Sequence, residues 1–300
     1  LIPAVLLAVF FVGAEGIMIW YLLNSMPGKK NRVWRCIQYS FIGFFYSGIT
    51  PSATGGQPVQ LYYMNKDGNR ISDSTVVLMT VAVVYKFVLV VMGAGILIFW
   101  HRPLVAELRH YFPLFILGLM RNVILVVLIL GVMIFPGIIR KIALFFERLL
   151  IRMHILKFSE KRVEKMEGFI GNYQQAVGWL GKHKRKLAVV AVLTFLQRCS
   201  VFVLTYMVYL GFGQTGSSAL KVILLQASVY IAVDMLPLPG AQGITELMYQ
   251  AVFAHVFAGA YLIPSMLVSR GINFYFLLLL SLAVVLVNRF VFDRRMASGC

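Results

Sequence analysis

The sequence predicts an all-α, polytopic membrane helix bundle of two inverted repeats, each containing a Pro/Gly-broken re-entrant segment. Three observations lead there. Of the 300 residues, 60% are hydrophobic and 13% charged, with a mean hydropathy of +0.83, a composition foreign to soluble domains. Several apolar runs reach the ~20 residues that carry a helix across a bilayer, whereas a transmembrane barrel needs short alternating segments. Two stretches, Ile49 to Tyr63 and Met235 to Tyr249, interrupt apolar sequence with proline and glycine in the same manner. Aligned without gaps, they match Pro51 with Pro237, Gln60 with Glu246, Leu61 with Leu247 and Tyr63 with Tyr249. Broken helices in corresponding places of two halves are the best sequence pointer to a transporter's binding site.

Residues 3–23 form the first predicted span, and Lys29, Lys30, Arg32 and Arg35 make the loop after it basic. Residues 36–50 are apolar but short and run into the first break. Asn65 to Arg70 reads as a polar turn, and spans follow over 75–100 and 112–135, joined by a short loop holding His101, Arg102, Glu107, Arg109 and His110. In the polar stretch 136–186, Val163, Met166, Phe169, Ile170, Tyr173, Val177 and Leu180 recur at helical spacing among Lys and Glu. That pattern is an amphipathic helix lying on the inner leaflet or packed under the bundle. A span over 187–211, a turn at 211–216, an apolar run over 219–236, the second break, and spans over 251–269 and 272–292 complete the chain. The single membrane domain, 1–300, thus divides into a first repeat (1–135), a basic amphipathic cytoplasmic connector (136–186) and a second repeat (187–300). The chain opens on a leucine inside an apolar run, without a charged signal-peptide flank. The expectation is that the native chain starts earlier.

The net charge of +17 is uneven: twelve of the 28 Lys and Arg lie between Arg140 and Lys186. Clusters of this kind mark cytoplasmic loops beside anionic lipid, and no base-reading module accompanies them, so nucleic acid is not an expected partner. With 24–35 and 136–186 both cytoplasmic, residues 36–63 enter and leave on one side as a re-entrant hairpin. An inverted second half sends the C-terminus outside, whereas Arg289, Arg294 and Arg295 favour inside. One span more or one span fewer around 219–268 removes that conflict.

Backbone that leaves a helix within lipid survives only inside protein or beside a watery cavity. Pro51, Gly55, Gly56 and Pro58 therefore imply a cavity or a tight crossing, as do Pro237, Pro239, Gly240 and Gly243. Lys86, Arg121 and Arg198 fall deep inside apolar spans, where a charge costs at least ~2.5–3.5 kcal/mol. Each needs a partner: Asp234 or Glu246, flanking the second break, or a lipid phosphate. A fixed internal ion pair is the competing reading. Arg270 reads as an anchor at a span end, and Glu15 as a pairing or a ligand group. Gln57 and Gln60 are polar candidates for a headgroup. Catalytic motifs are absent, Cys36, Cys199 and Cys300 share no spacing, and neither metal nor cofactor is expected.

The segments TPSATGGQPVQLYYMNKDG (Thr50 to Gly68) and LPLPGAQGITELMY (Leu236 to Tyr249) resemble the lysylphosphatidylglycerol synthase transmembrane-domain family, also called flippase-like. The resemblance covers essentially the whole chain. It implies an inner-membrane, multi-pass lipid flippase moving an anionic or aminoacylated phospholipid between leaflets, in a family linked to resistance against cationic peptides. The alternative it implies is the membrane part of a phosphatidylglycerol lysyltransferase or other lipid-linked transferase system, with a soluble aminoacyltransferase as partner. No transferase domain is visible in these 300 residues, so the lysyltransferase label of the family does not describe chemistry expected here. By motif position the resemblance carries over Gly55, Gly56, Gln57, Gln60, Pro239, Gly240, Gly243 and Glu246. Gln57 and Gln60 stand where many relatives have a Gly-Glu and a following Arg.

Overall fold

Long apolar runs in lipid satisfy their own backbone hydrogen bonds within one segment only as helices, and the described residues contain helices and no strands. The computed structural model describes residues 1–135, 137, 160–234 and 239–297, with side chains except at 160–166, 239 and 291–297. Pro237, Cys300 and the connector residues 138–159 lie outside the described residues, as do the side chains of Val163 and Met166.

Helix α1 (Ile2–Leu23) is followed by α2 (Val33–Ile49), a 3₁₀ turn (Pro51–Ala53), α3 (Gly56–Lys66) and α4 (Ile71–Phe99). Then come α5 (His101–Leu108), α6 (Phe112–Ile134) and α7 (Glu160–Lys182). The order of the first four helices recurs: α8 (Lys184–Gly211), α9 (Ala219–Val233), a 3₁₀ turn (Pro239–Ala241), α10 (Ile244–Phe253), and a long element made of α11 (Gly259–Arg270), a π-helical stretch (Gly271–Phe276) and α12 (Leu277–Ala297). Among the described residues, five stretches are long and apolar enough to cross a membrane: α1, α4, α5–α6, α8 and Gly259–Phe290. The predicted joint at 101–111 is helical because Leu104 and Leu108, four residues apart, both turn into the core.

The two spans expected at 251–269 and 272–292 are instead one continuous helix, with α10 a separate short helix before it. No turn interrupts the chain near 270. Gly271 opens a π-helical stretch that keeps the helix running, a form of helix found frequently at functional sites.

Packing follows membrane rules, with small residues bringing backbones together. Ala4, Ala8, Val12 and Gly16 form the buried stripe of α1. A Cβ on Gly16 would stand 2.4 Å from Ile37 Cα of α2, and one on Gly118 of α6 2.3 Å from the Ile231 carbonyl oxygen of α9. Helix α4 packs on α9 while α12 packs on α2. Helices α1 and α8 run antiparallel. Phe11 O accepts from Gln197 Nε2 (2.6 Å), Met18 Sδ from Thr194 Oγ1 (3.1 Å) and Ser25 Oγ from Lys186 Nζ (2.7 Å). The amphipathic α7 packs against α4, burying Tyr173, Ala176 and Leu180.

The basic end of α2 is fastened by a cluster remote from the breaks. Arg35 Nε meets Asp67 Oδ2 at 2.5 Å and its NH2 meets Oδ1 at 3.2 Å. Tyr39 donates to the same carboxylate, and Arg35 also donates to Asn288 of α12.

Candidate functional site

A residue before proline is pushed out of the helical region, so Thr50 is extended ahead of Pro51 and ends α2. Its hydroxyl donates to Tyr46 O (2.6 Å) and accepts from Gly55 N–H (2.9 Å), satisfying both sides of the break. Ser52 and Ala53 then take positive φ (52° and 54°), as do Gly240 and Ala241 (59° and 49°). Helices α3 and α10 each start at the fifth residue after the second of these paired turns' opening residue: Pro51 leads to Gly56, and Pro239 to Ile244. The turns are therefore equivalent at a separation of 188 residues, not the 186 of the gapless alignment. In that register Glu246 stands opposite Pro58, and Gln60 opposite Met248. The apparent Gln60–Glu246 match does not survive.

The two 3₁₀ turns touch each other, and both border one cavity of about 720 Å³. Its wall carries Lys86, Arg198 and Arg270 together with Glu15 and Asp234, and also apolar residues of α4 and α6 (Leu78, Ala82, Leu125, Ile129).

Its charges form three groups. In the first, Lys86 Nζ lies 2.5 Å from Asp234 Oδ2, with both side chains under a tenth exposed. Tyr85 OH donates to Asp234 Oδ1 (2.5 Å) and lies 3.3 Å from Tyr230 OH, which accepts from Arg198 NH1 (2.9 Å). The Arg198 guanidinium is sandwiched over the Tyr85 and Phe11 rings, 4.1 and 4.6 Å from their centroids, and its Nε is buried without a partner among the described residues. In the second, Gln60, 2% exposed, donates to Glu15 Oε1 at 2.8 Å. In the third, Glu246 accepts from Gly243 N–H (2.7 Å) and from Arg270 Nε (2.7 Å), while Arg270 NH2 reaches Gly240 O (3.0 Å). Glu246 thus caps α10 and fixes Arg270 on the turn. Gly243, at φ 83°, closes that cap in a conformation only glycine adopts freely.

Two lining charges stay without an opposite charge in contact among the described residues: Arg198 and Glu15. An interior cation and an interior anion, held by neutral groups on a shared cavity, suit a ligand bearing both signs or a phosphate presented to Arg198.

Of the residues singled out from sequence, Lys86, Arg198, Asp234, Gln57, Gln60 and Gly240 line the cavity. Glu246 touches it through Arg270. Gly55 and Gly56 sit behind the wall: a Cβ on Gly56 would stand 2.6 Å from Gly43 O, so its role is the close approach of α3 to α2. Gly243 is at the α10 cap, and the side chain of Pro239 lies outside the described residues. Arg121 of α6 is not on the cavity wall; its Nε and NH2 are buried with no hydrogen-bond partner among the described residues. Sequence reasoning underrated Arg270, which sits within a continuous helix and lines the cavity. Its signal was available: Arg270 precedes Gly271 within an otherwise uninterrupted apolar run. Tyr85 and Tyr230, which join the Asp234 and Arg198 groups, were indistinguishable in sequence from packing aromatics.

The chain matches the family described as Lysylphosphatidylglycerol synthase TM region over residues 1–281, and it belongs to that family. It is similar to a UPF0104 membrane protein of Pyrococcus horikoshii, 31% identical over 265 residues covering 85% of this chain and 77% of that relative. No solved structure matches it. It is a multi-pass integral membrane protein.

Proposed function

We propose that this protein is a phospholipid flippase of its cell's plasma membrane, moving an anionic or aminoacylated phospholipid between leaflets through the cavity between the two broken segments. The observation that carries the reading is the meeting of both 3₁₀ turns on one charged, partly apolar cavity. Arg198 takes the lipid phosphate, with Lys86 beside it. Glu15, presented by Gln60, takes an amine where the headgroup has one. The side lined by Leu78, Ala82, Leu125 and Ile129 receives acyl chain.

The element order supports an inverted repeat. With five spans and the basic loop after α1 inside, α2–α3 enters from the cytoplasm, α9–α10 from outside, and the C-terminal arginines return inside. One span fewer near 270 supports this topology, in which the inverted second half and the C-terminal arginines agree. Alternating access then follows as rocking of one half against the other about the cavity.

The test is reconstitution of the purified chain into liposomes holding trace fluorescent phosphatidylglycerol or lysyl-phosphatidylglycerol, with a membrane-impermeant quencher reporting translocation. Wild type is expected to expose inner-leaflet label faster than empty liposomes. Arg198→Gln is expected to slow both lipids, and Glu15→Gln the lysylated one selectively. Wild-type rates equal to those of empty liposomes refute the proposal.

A further inference from the structure

We propose that Asp234 is a proton site, and that each lipid phosphate entering the cavity binds together with one proton taken up by that carboxylate. The inference rests on the flippase reading and adds what drives it.

The two breaks present carboxylates at opposite helix poles. Glu246 stands in the first turn of α10, where the positive end of the helix dipole favours an anion and a backbone N–H donates to it. Asp234 is the residue that ends α9, at the negative end of the helix dipole, which opposes a carboxylate. Among the described residues its side-chain oxygens accept from Lys86 and Tyr85. Lys86 is the charged one of those two donors.

The charged and titratable groups facing it are few. Helix α4 contributes Lys86 and Tyr85; α9 itself contributes Tyr230; α8 contributes Arg198 behind the tyrosines; Arg121 of α6 lies within electrostatic reach of Lys86. Among the described residues these charged groups are cations, and the other carboxylate on the cavity wall, Glu15 of α1, lies within electrostatic reach of Arg198. Lys86 also borders the cavity, so an incoming phosphate and Asp234 compete for one ammonium. If the phosphate takes it, Asp234 is left as a buried anion at the wrong end of a helix, a state far costlier than its neutral acid. The carboxylate then accepts one proton from cavity water, Lys86 remains an ammonium, and Tyr85 keeps its hydroxyl proton. Lipid anion and proton enter together, with no net charge added to the site. Departure of the phosphate returns Lys86 to Asp234 and releases the proton. Intramembrane carboxylates paired in this way mark proton relays, and linkage requires the dependence to be reciprocal.

The test uses the full chain in liposomes carrying trace fluorescent phosphatidylglycerol and an imposed pH difference. One proton per lipid predicts an end-point leaflet distribution shifted about tenfold per pH unit, with lipid accumulating in the leaflet facing the more alkaline side. In detergent, adding phosphatidylglycerol to the purified protein with a pH dye is expected to consume about one proton per lipid bound. Asp234→Asn is expected to abolish both the gradient-driven distribution and the proton uptake, whatever its rate, and Asp234→Glu to retain them. Wild type that moves lipid to the same distribution at every pH difference, or binds it without proton uptake, overturns the proton site while leaving the flippase intact. Wild type that moves no lipid, while empty liposomes and protein behave alike, overturns the flippase reading itself.

Discussion

Glu246 and Arg270 together hold the second break, and removing either should loosen it by an amount the geometry sets. Glu246→Ala loses two charge-assisted hydrogen bonds, one from Gly243 N–H and one from Arg270 Nε, each 2.7 Å long. Such bonds contribute about 1.5–3 kcal/mol apiece when shielded. The side chains are 13% and 22% exposed, so partial solvent screening keeps the total nearer 3–5 kcal/mol than the upper sum. Glu246→Gln retains one neutral acceptor, which serves Gly243 or Arg270 but not both at full strength, and should cost roughly 1–2 kcal/mol by the same scale. Arg270→Ala strips the Gly240 carbonyl as well. In a double-mutant cycle the pair should show a coupling of about 1.5–3 kcal/mol, because both singles destroy the same bond. The assay is equilibrium unfolding in mixed micelles, with hydrogen exchange read at the Gly243 amide. Additive single-mutant effects within ~0.5 kcal/mol, together with unchanged protection at Gly243, would refute the clamp.

Three further outcomes are expected. Lys86→Met leaves Asp234 buried and unpaired and should destabilise by about 3–5 kcal/mol, while Lys86→Met with Asp234→Leu should recover most of that; unfolding in the same micelles checks it. Gly16→Ala and Gly118→Ala drive a methyl into partner backbone at 2.4 and 2.3 Å and should cost at least ~1–3 kcal/mol. Gly13→Ala and Gly95→Ala, on helices where an added Cβ meets nothing within 4 Å, should gain about 0.5–1 kcal/mol, which thermal melts of the four variants compare directly. Asp67→Ala removes the carboxylate shared by Arg35 and Tyr39 and should cost about 1.5–3 kcal/mol, with Asp67→Asn milder because an acceptor for Tyr39 remains; equilibrium unfolding in the same micelles compares the two variants.

What the sequence made legible was whatever composition and punctuation carry. Apolar runs gave the helices, Pro51 and the Gly-rich stretches gave the breaks, and the expense of burying charge singled out Lys86, Arg198 and Asp234 as residues needing partners. Two features escaped for physical reasons. A helix that passes through a π-helical stretch stays helical, so Gly271 looks like a turn in sequence while the chain runs on through it. The register of the repeat escaped because residue identity and backbone role part company: proline opens both 3₁₀ turns, but the second break holds an extra proline, Pro237, that captured the gapless alignment.

That two-residue shift changes the chemistry assigned to the repeat. Under the gapless match, Gln60 and Glu246 read as one position at which headgroup charge is sensed. In the backbone register they have different work. Gln60 presents Glu15 from behind α3, whereas Glu246 is spent on its own helix cap and on Arg270. The asymmetry between the halves therefore lies elsewhere. The ends of α2 and α9 differ in the residue that terminates them: Thr50, whose neutral hydroxyl bonds to its own chain on both sides of the break, against Asp234, whose carboxylate is met, among the described residues, from α4. A neutral terminator ties the first break to its own chain. A charged one ties the end of α9 to a lysine that also faces the cavity, so the proposed proton site makes occupancy of the cavity and the Lys86–Asp234 pair one equilibrium.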